Sequence, residues 1–151
     1  MTSCHLRFEA QRPLSEAYPT ELTAVGDHIR KRRLDLGLLQ RDVAGRIGVT
    51  ALTIKNWELG HTEPEICYGP SIIDFLGYVP MHKPETVRDQ LLAYRMIHGV
   101  SQRKAARRIG VDPTTWYFWE NRVSEPTLER PKMKFDTHVL SILRKSAFHD
   151  E

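Results

Sequence analysis

The sequence lacks the residue patterns by which metal sites and catalytic sites are recognised. Its 151 residues contain only 2 cysteines, Cys4 and Cys67, and no CxxC pair, so we expect free thiols in a reducing cytosol. None of its 7 histidines stands four residues from another, as in a helical metal site. It has no glycine-rich phosphate loop, nucleophile elbow or clustered acid pair. We therefore expect no metal, no cofactor and no enzymatic activity.

Long apolar runs are absent as well. No segment approaches the roughly 20 residues that a membrane-spanning helix needs, and no secretory signal leads the chain, so we expect a cytoplasmic protein. No segment alternates between apolar and polar residues with a period of two, so we expect no β-sheet. The hydrophobic content of 40% is typical of a globular chain. These features together predict a globular, all-α protein.

What the sequence does contain is an internal repeat. Residues 37–64, GLLQRDVAGRIGVTALTIKNWELGHTEP, return at a constant offset of 62 as residues 99–126, GVSQRKAARRIGVDPTTWYFWENRVSEP. The two segments align without a gap and share IGV, WE and EP. A match of this length predicts two copies of one structural unit. Units of about 60 residues have small cores, so docking of the copies or dimerisation would help to stabilise them.

The repeat divides the chain into two helical domains. We expect an N-terminal arm at residues 1–21, a first domain at 22–80, a linker at 81–84, a second domain at 85–146 and a tail at 147–151. The spacing of apolar residues, glycines and prolines predicts four to five helices in each domain. The arm is either a floppy tail or a segment that docks on a partner chain or on the second repeat.

Local signals place the individual helices. In the first helix Val25, Ile29 and Leu36 recur on one face, which we expect to be buried. Asp112 followed by Pro113 is typical of an N-cap with proline in the first helical position. The predicted helices cover about residues 22–36, 40–47, 50–58, 68–76, 85–98, 102–109, a segment that begins at 113, and 136–145.

Two short helices joined through a glycine turn, inside a unit of four to five helices, are typical of a helix-turn-helix. Both copies resemble the phage-repressor class of this motif, the Cro/C1-type or XRE family of bacterial regulators. The resemblance covers most of the chain and is specific for the fold rather than for the DNA sequence that is bound. In the first copy it rests on Leu39-Gln40, Val43-Ala44, Ile47-Gly48-Val49, Thr53-Ile54, Trp57-Glu58, Gly60 and Pro64.

The resemblance implies that the third helix of each copy enters the major groove of DNA. In the first copy the base-contacting positions would be Thr50, Ala51, Leu52, Lys55 and Asn56. Helical spacing agrees independently, because these positions lie off the core face that contains Ile54 and Trp57. The alternative is a merely solvated surface, which the apolar Leu52 argues against.

The side chains at these positions suit the edges of bases. An asparagine such as Asn56 can bind adenine with two hydrogen bonds, and Lys55 can bind a guanine or a phosphate. Ala51 and Leu52 can contact the methyl groups of thymines.

Phosphate contacts are expected beside the third helix. The resemblance places Gln40 at the start of the second helix, near a phosphate. The other candidates are Arg41, Arg46 and the amides of Gly60, His61 and Thr62. Each basic residue could equally be a solvated surface charge. Such contacts set affinity and salt dependence rather than sequence choice.

One pair of charged residues recurs in both copies. Arg33 and Glu58 return as Arg95 and Glu120. The resemblance implies that each pair is a partly buried ion pair between the first and third helices of its copy. We expect both pairs to be structural.

Positive charge is concentrated in the second copy. Residues 22–80 carry 7 basic and 7 acidic side chains, whereas residues 84–146 carry 12 basic and 7 acidic ones. A phosphate partner is the simplest use for the excess. The phosphate candidates in the second helix of this copy are Gln102, Arg103, Lys104 and Arg107.

The second copy departs from the first where bases would be contacted. Its third helix would present Pro113, Thr114, Tyr117 and Phe118. Either this copy binds DNA mainly through phosphates, with its aromatic side chains on thymine methyls or sugars, or it is a protein interface with those side chains as anchors. The basic cluster favours the first interpretation.

The sequence therefore predicts two tandem repressor-like helix-turn-helix domains that bind double-stranded DNA. We expect a sequence-specific transcriptional regulator of bacterial or phage origin, with unequal half-sites about 34 Å apart. The alternative is a protein-interaction adaptor or antitoxin-like partner built on the same fold. A homodimer or another protein partner is left open, whereas no membrane contact and no small-molecule ligand are expected.

Overall fold

The computed structural model describes residues 18–121 and Phe148. In these residues the all-α prediction is confirmed, because the chain forms helices and a single isolated β-bridge between Val79 and Phe148. A 3₁₀ turn, Ile66–Tyr68, precedes the fourth helix. The helices are α1 Val25–Asp35, α2 Gln40–Ile47, α3 Ala51–Glu58, α4 Gly69–Leu76, α5 Val87–His98, α6 Gln102–Ile109 and α7 Pro113–Glu120.

The helix bounds repeat at the offset of the sequence repeat. Both α6 and α7 begin and end 62 residues after α2 and α3. The N-terminal arm to residue 17, the last predicted helix at 136–145 and the tail apart from Phe148 lie outside the described residues.

Two helices begin two or three residues after their predicted starts, because capping side chains set their first turns. The Asp27 carboxylate accepts the backbone N–H of Ala24 at 2.8 Å, and α1 begins at Val25 rather than at Leu22. The Thr86 hydroxyl accepts the N–H of Asp89 at 3.2 Å, so α5 begins at Val87. In both cases a side chain satisfies a donor that the first helical turn leaves unpaired.

The prediction that Leu36 is buried is wrong. Its side chain is 44% exposed. Leu36 is the residue that ends α1, and Gly37 follows with a φ of 64°, so the chain has left the helical path and the apolar spacing no longer applies.

The first core lies between α1, α2, α3 and α4. Its buried side chains are Ile29, Val43, Ala44, Ile47, Ile54, Trp57, Ile72, Phe75 and Leu76. The backbones of α1 and α3 also come very close, because a Cβ on Gly26 would lie 1.9 Å from the carbonyl oxygen of Trp57. The position of α3 is therefore set by backbone contact as well as by the tryptophan.

A second core lies between α5, α6 and α7. It contains Leu91, Ala93, Tyr94, Val100, Ala105, Ala106, Ile109, Trp116 and Trp119. Phe148, from the predicted tail, packs against it. The linker predicted at 81–84 is not wholly a free tether, since Met81 packs on this core as well.

The close approach at Gly26 predicts a large cost for one added methyl group. We expect Gly26→Ala to lower the free energy of unfolding by about 1–3 kcal/mol, because α1 and α3 would have to separate. Gly45→Ala is the control: a Cβ there meets nothing within 4 Å, and the change should raise that free energy by up to about 1 kcal/mol. Urea denaturation followed by circular dichroism measures both, and a Gly26→Ala protein as stable as wild type would contradict this packing.

Candidate nucleic-acid interface

Helix α3 buries one face and exposes the other. Trp57 is 4% exposed, and Ile54 is fully buried. On the opposite side Leu52 is 64% exposed, Lys55 is exposed and Asn56 is partly exposed. Ala51 and Thr50 are exposed as well. The residues predicted to contact bases therefore lie on one accessible surface.

The start of α3 is fixed by its own cap. The Thr50 hydroxyl accepts the backbone N–H of Thr53 at 3.1 Å and lies 2.8 Å from the Thr53 hydroxyl. Gly48, with a φ of 88°, makes the left-handed turn that ends α2 and directs the chain into α3. Thr50 is thus first a capping residue, and any DNA contact from its hydroxyl must be shared with that cap.

A buried carboxylate joins α3 to α1. Glu58 is 6% exposed, and Arg33 donates to it from Nε at 2.6 Å and from Nη2 at 2.8 Å. Arg33 Nη1 also donates to the Leu38 carbonyl at 3.2 Å. The hydrogen bond with Glu58 raises the pKa of Arg33, so the guanidinium stays charged. The pair is bidentate, which fixes the angle between the helices as well as their distance.

The side chain of Gln40 is already hydrogen-bonded in the folded chain, and its expected contact with a phosphate stays a prediction. Its amide donates to Glu58 Oε2 at 2.9 Å, so it completes the Arg33–Glu58 pair. A buried carboxylate needs several donors, and Gln40 supplies one from the first turn of α2. Sequence reasoning missed this contact because no spacing rule links residue 40 to residue 58.

In the second repeat the buried carboxylate of Glu120 has a different set of hydrogen-bond donors. Arg95 Nη1 pairs with Glu120 Oε1, and Arg95 Nε donates to the Val100 carbonyl at 3.1 Å. The indole N–H of Trp116 donates to Glu120 Oε2 at 2.6 Å. The donor to Glu120 other than the arginine thus comes from α7 itself rather than from the start of α6, where Gln102 is the equivalent of Gln40.

The backbone N–H groups after α3 form hydrogen bonds within the protein. The N–H of Gly60 donates to the Trp57 carbonyl at 3.1 Å, and those of His61 and Thr62 donate to the Asn56 carbonyl at 2.9 and 3.4 Å. These amides satisfy the last carbonyls of the helix, and a phosphate contact from them, which would have to share or replace these bonds, stays a prediction. The side chains of His61 and Thr62 are exposed beside these amides.

Helix α6 carries an unbalanced positive surface. Arg103, Lys104, Arg107 and Arg108 are all exposed, and no described residue forms an ion pair with any of them. On α2 the exposed cations are Arg41 and Arg46. Four cations on an eight-residue helix with no acid among them form a positive surface that attracts anions.

The exposed face of α7 is aromatic. Tyr117 is 50% and Phe118 is 39% exposed, and their ring centroids lie 5.9 Å apart. Thr114 is exposed beside them, and Pro113 is partly exposed. The Asp112 carboxylate accepts the N–H of Thr114 at 2.8 Å, so this acid caps the helix.

Residues 29–66 match the family model for the helix-turn-helix. The matched segment contains α2, the Gly48 turn and α3. The first repeat is a helix-turn-helix of the Cro/C1 type. The helix-turn-helix family is a DNA-binding regulator fold, generally without enzymatic activity, so the match supports a DNA-binding regulator. No curated protein and no solved structure matches the chain.

The described residues also bear on other classes of partner. No helix among them has the length and apolar character of a membrane span. Nowhere in the same part of the chain do three or more metal-ligating side chains come together.

The buried pair predicts a large difference between two charge deletions. We expect Glu58→Ala to lower the free energy of unfolding by about 3–5 kcal/mol, because Arg33 is left buried without its partner. Lys31→Ala removes one partner of the exposed Lys31–Asp35 pair at 3.2 Å and should cost less than about 0.5 kcal/mol. Chemical denaturation of both variants checks this, and similar losses would show that the Glu58 pair adds no more than a surface pair.

Proposed function

We propose that the protein is a sequence-specific regulator of transcription that inserts α3 into the major groove of double-stranded DNA. The exposed face of α3 carries this proposal. Leu52, Lys55 and Asn56 lie on the accessible side of α3, whereas Trp57 and Glu58 anchor its opposite side to the rest of the repeat. A helix held this firmly can present side chains to base edges at a fixed depth.

The exposed side chains of α3 have complementary roles in this proposal. Asn56 would bind an adenine through its amide, and Lys55 a guanine or a neighbouring phosphate. Ala51 and Leu52 would pack on thymine methyl groups. Arg41 and Arg46 would bind phosphates beside the groove, together with N–H groups of the first turn of α2 that the helix itself leaves unpaired.

We propose that the second repeat, 85–146, is a second helix-turn-helix domain on the same DNA. Its helices stand at the offset of the sequence repeat, and Arg95 and Glu120 pair as Arg33 and Glu58 do. The cations of α6, which form no ion pair among residues 18–121, favour phosphate as its partner over the surface of another protein. Tyr117 and Phe118 would then lie against thymine methyls or sugars.

The two domains differ where they would contact bases, so their half-sites differ as well. The operator need not be a palindrome, and its halves would lie about 34 Å apart, one turn of the duplex. As a regulator of transcription the protein would act at the nucleoid, in the cytoplasm.

The role of Asn56 predicts a change in sequence preference without a change in salt dependence. We expect Asn56→Ala to cost about 1–3 kcal/mol on the preferred duplex and to relax the preference at one base pair. Selection from a randomised duplex library, followed by binding measurements over a salt series, gives both quantities. If selection returns the same motif for the variant as for wild type, the base contacts are placed wrongly.

The cations of α6 predict the opposite behaviour. Replacing Arg103, Lys104 and Arg107 by alanine should weaken binding to all duplexes alike and reduce the salt slope by about 3, close to one for each phosphate that is no longer neutralised. The control replaces Arg30, Lys31 and Arg32 on α1, which removes the same charge elsewhere. Equally weakened binding in the two triple variants would mean that net charge, and not α6, attracts the DNA.

A further inference from the structure

The two repeats meet in a close-packed joint. The 3₁₀ turn and α4 on one side pack against α5 on the other. A Cβ on Gly69, the buried first residue of α4, would lie 2.1 Å from the carbonyl oxygen of Met96 in α5. A Cβ on Gly99, just after α5, would lie 2.9 Å from Pro70 Cδ and 3.0 Å from the Cys67 carbonyl oxygen. Both contacts cross from one repeat to the other.

Comparison of Gly99 with Gly37, its equivalent in the first repeat, distinguishes two reasons for a glycine at this position: backbone conformation and close contact. Gly37 and Gly99 end the first helix of their repeats with φ values of 64° and 59°. A positive φ favours glycine at both positions. Around Gly37, however, a Cβ would meet nothing within 4 Å. Only Gly99 is therefore also required by contact with the neighbouring repeat.

The chain that connects the repeats belongs to the same packed body. Tyr78 packs on the first core and Met81 on the second. Between them Val79 and Pro80 are buried, and Val79 forms the β-bridge to Phe148. The connection is therefore held against the two cores from Tyr78 to Met81, and only a short exposed stretch that begins at His82 is left before α5.

We propose that this joint holds α3 and α7 at one separation and one angle, so that a single chain binds a bipartite duplex site at one spacing. Gly69 and Gly99 are the positioning residues, and neither needs to touch DNA. The inference rests on the proposed function, since it requires both repeats to bind the duplex. The ligand it names is a duplex with two unequal half-sites in a fixed order.

Rigidity has a measurable consequence for binding. Once one repeat is bound, the second binds at an effective concentration that the joint sets, and this is high only when the half-sites have the matching spacing. Moving one half-site to the opposite face of the duplex prevents the second repeat from binding. A protein with a loosened joint should bind the preferred spacing with lower affinity than wild type and lose less affinity when the spacing is changed.

The test compares matched glycine variants on duplexes of different spacing. The duplex selected by the wild-type protein is remade with 5 base pairs, about half a helical turn, inserted between its halves. We expect the insertion to weaken wild-type binding at least about tenfold. For Gly69→Ala and Gly99→Asn the penalty should fall below about threefold. Gly37→Asn, which has the same backbone strain without the contact, should keep the wild-type penalty.

A second measurement needs no DNA. Because the joint makes one body, ¹⁵N relaxation should give equal rotational correlation times for α1–α4 and α5–α7 in the wild-type protein and in Gly37→Asn. The times should diverge in Gly69→Ala and Gly99→Asn. Circular dichroism verifies that each variant keeps its helices. If one of the two joint variants fails to fold, the other still tests the proposal.

The outcomes separate this inference from the proposed function. If the wild-type protein selects no sequence at all, both are wrong. If it selects one Asn56-dependent motif, the proposed binding by α3 stands, whereas the DNA contact of the second repeat and the fixed spacing are wrong. If it selects two motifs at scattered spacing, the proposed DNA binding of both repeats stands and the rigid joint is wrong. If both joint variants keep the wild-type spacing penalty and tumble as one body, Gly69 and Gly99 do not position the repeats.

Discussion

The buried carboxylate of Glu58 is the interaction on which the exposed face of α3 depends. A carboxylate that is 6% exposed must have its charge and its lone pairs matched. Its donors are Arg33 from α1 and Gln40 from the start of α2. All of these bonds form only at one arrangement of the three helices. The face of α3 that is turned to solvent is therefore fixed by an ion pair on the opposite side.

The second repeat keeps the carboxylate but changes what it holds together. Glu120 is bound by Arg95 and by Trp116, a residue of α7 itself. The pair still orients α7 against α5, but the other donor to the carboxylate does not come from α6. The first repeat thus combines an anchored α2 with amide and ammonium side chains on α3. The second combines a strongly basic α6 with aromatic side chains on α7, which suits it to phosphates more than to base edges.

Local signals in the sequence predicted the helices far better than they predicted the polar contacts. The bounds of α2 and α6, and the capping of α7 by Asp112, follow from residues within a few positions of each other. The hydrogen bond from the Gln40 amide to Glu58 and that from the His61 N–H to the Asn56 carbonyl depend on atoms that meet only in the folded chain. Helical spacing shows which face of a helix is apolar, but it does not show which polar groups on the other face will form hydrogen bonds within the protein. The roles of the α3 side chains in DNA binding stay predictions.

The joint between the repeats could not be predicted for a related reason. In the sequence, Gly99 resembles any glycine that ends a helix, and only its open counterpart Gly37 shows that contact with the other repeat is a separate requirement. Nothing near Gly69 in the sequence points to its contact with Met96. Fixing two unequal helices on one frame also removes a symmetry. A dimer of identical chains fits its site in two equivalent orientations, whereas a single chain with different α3 and α7 fits in one. On the proposed function, the protein would therefore bind with a defined direction along the DNA, because each half-site accepts only one of the two repeats.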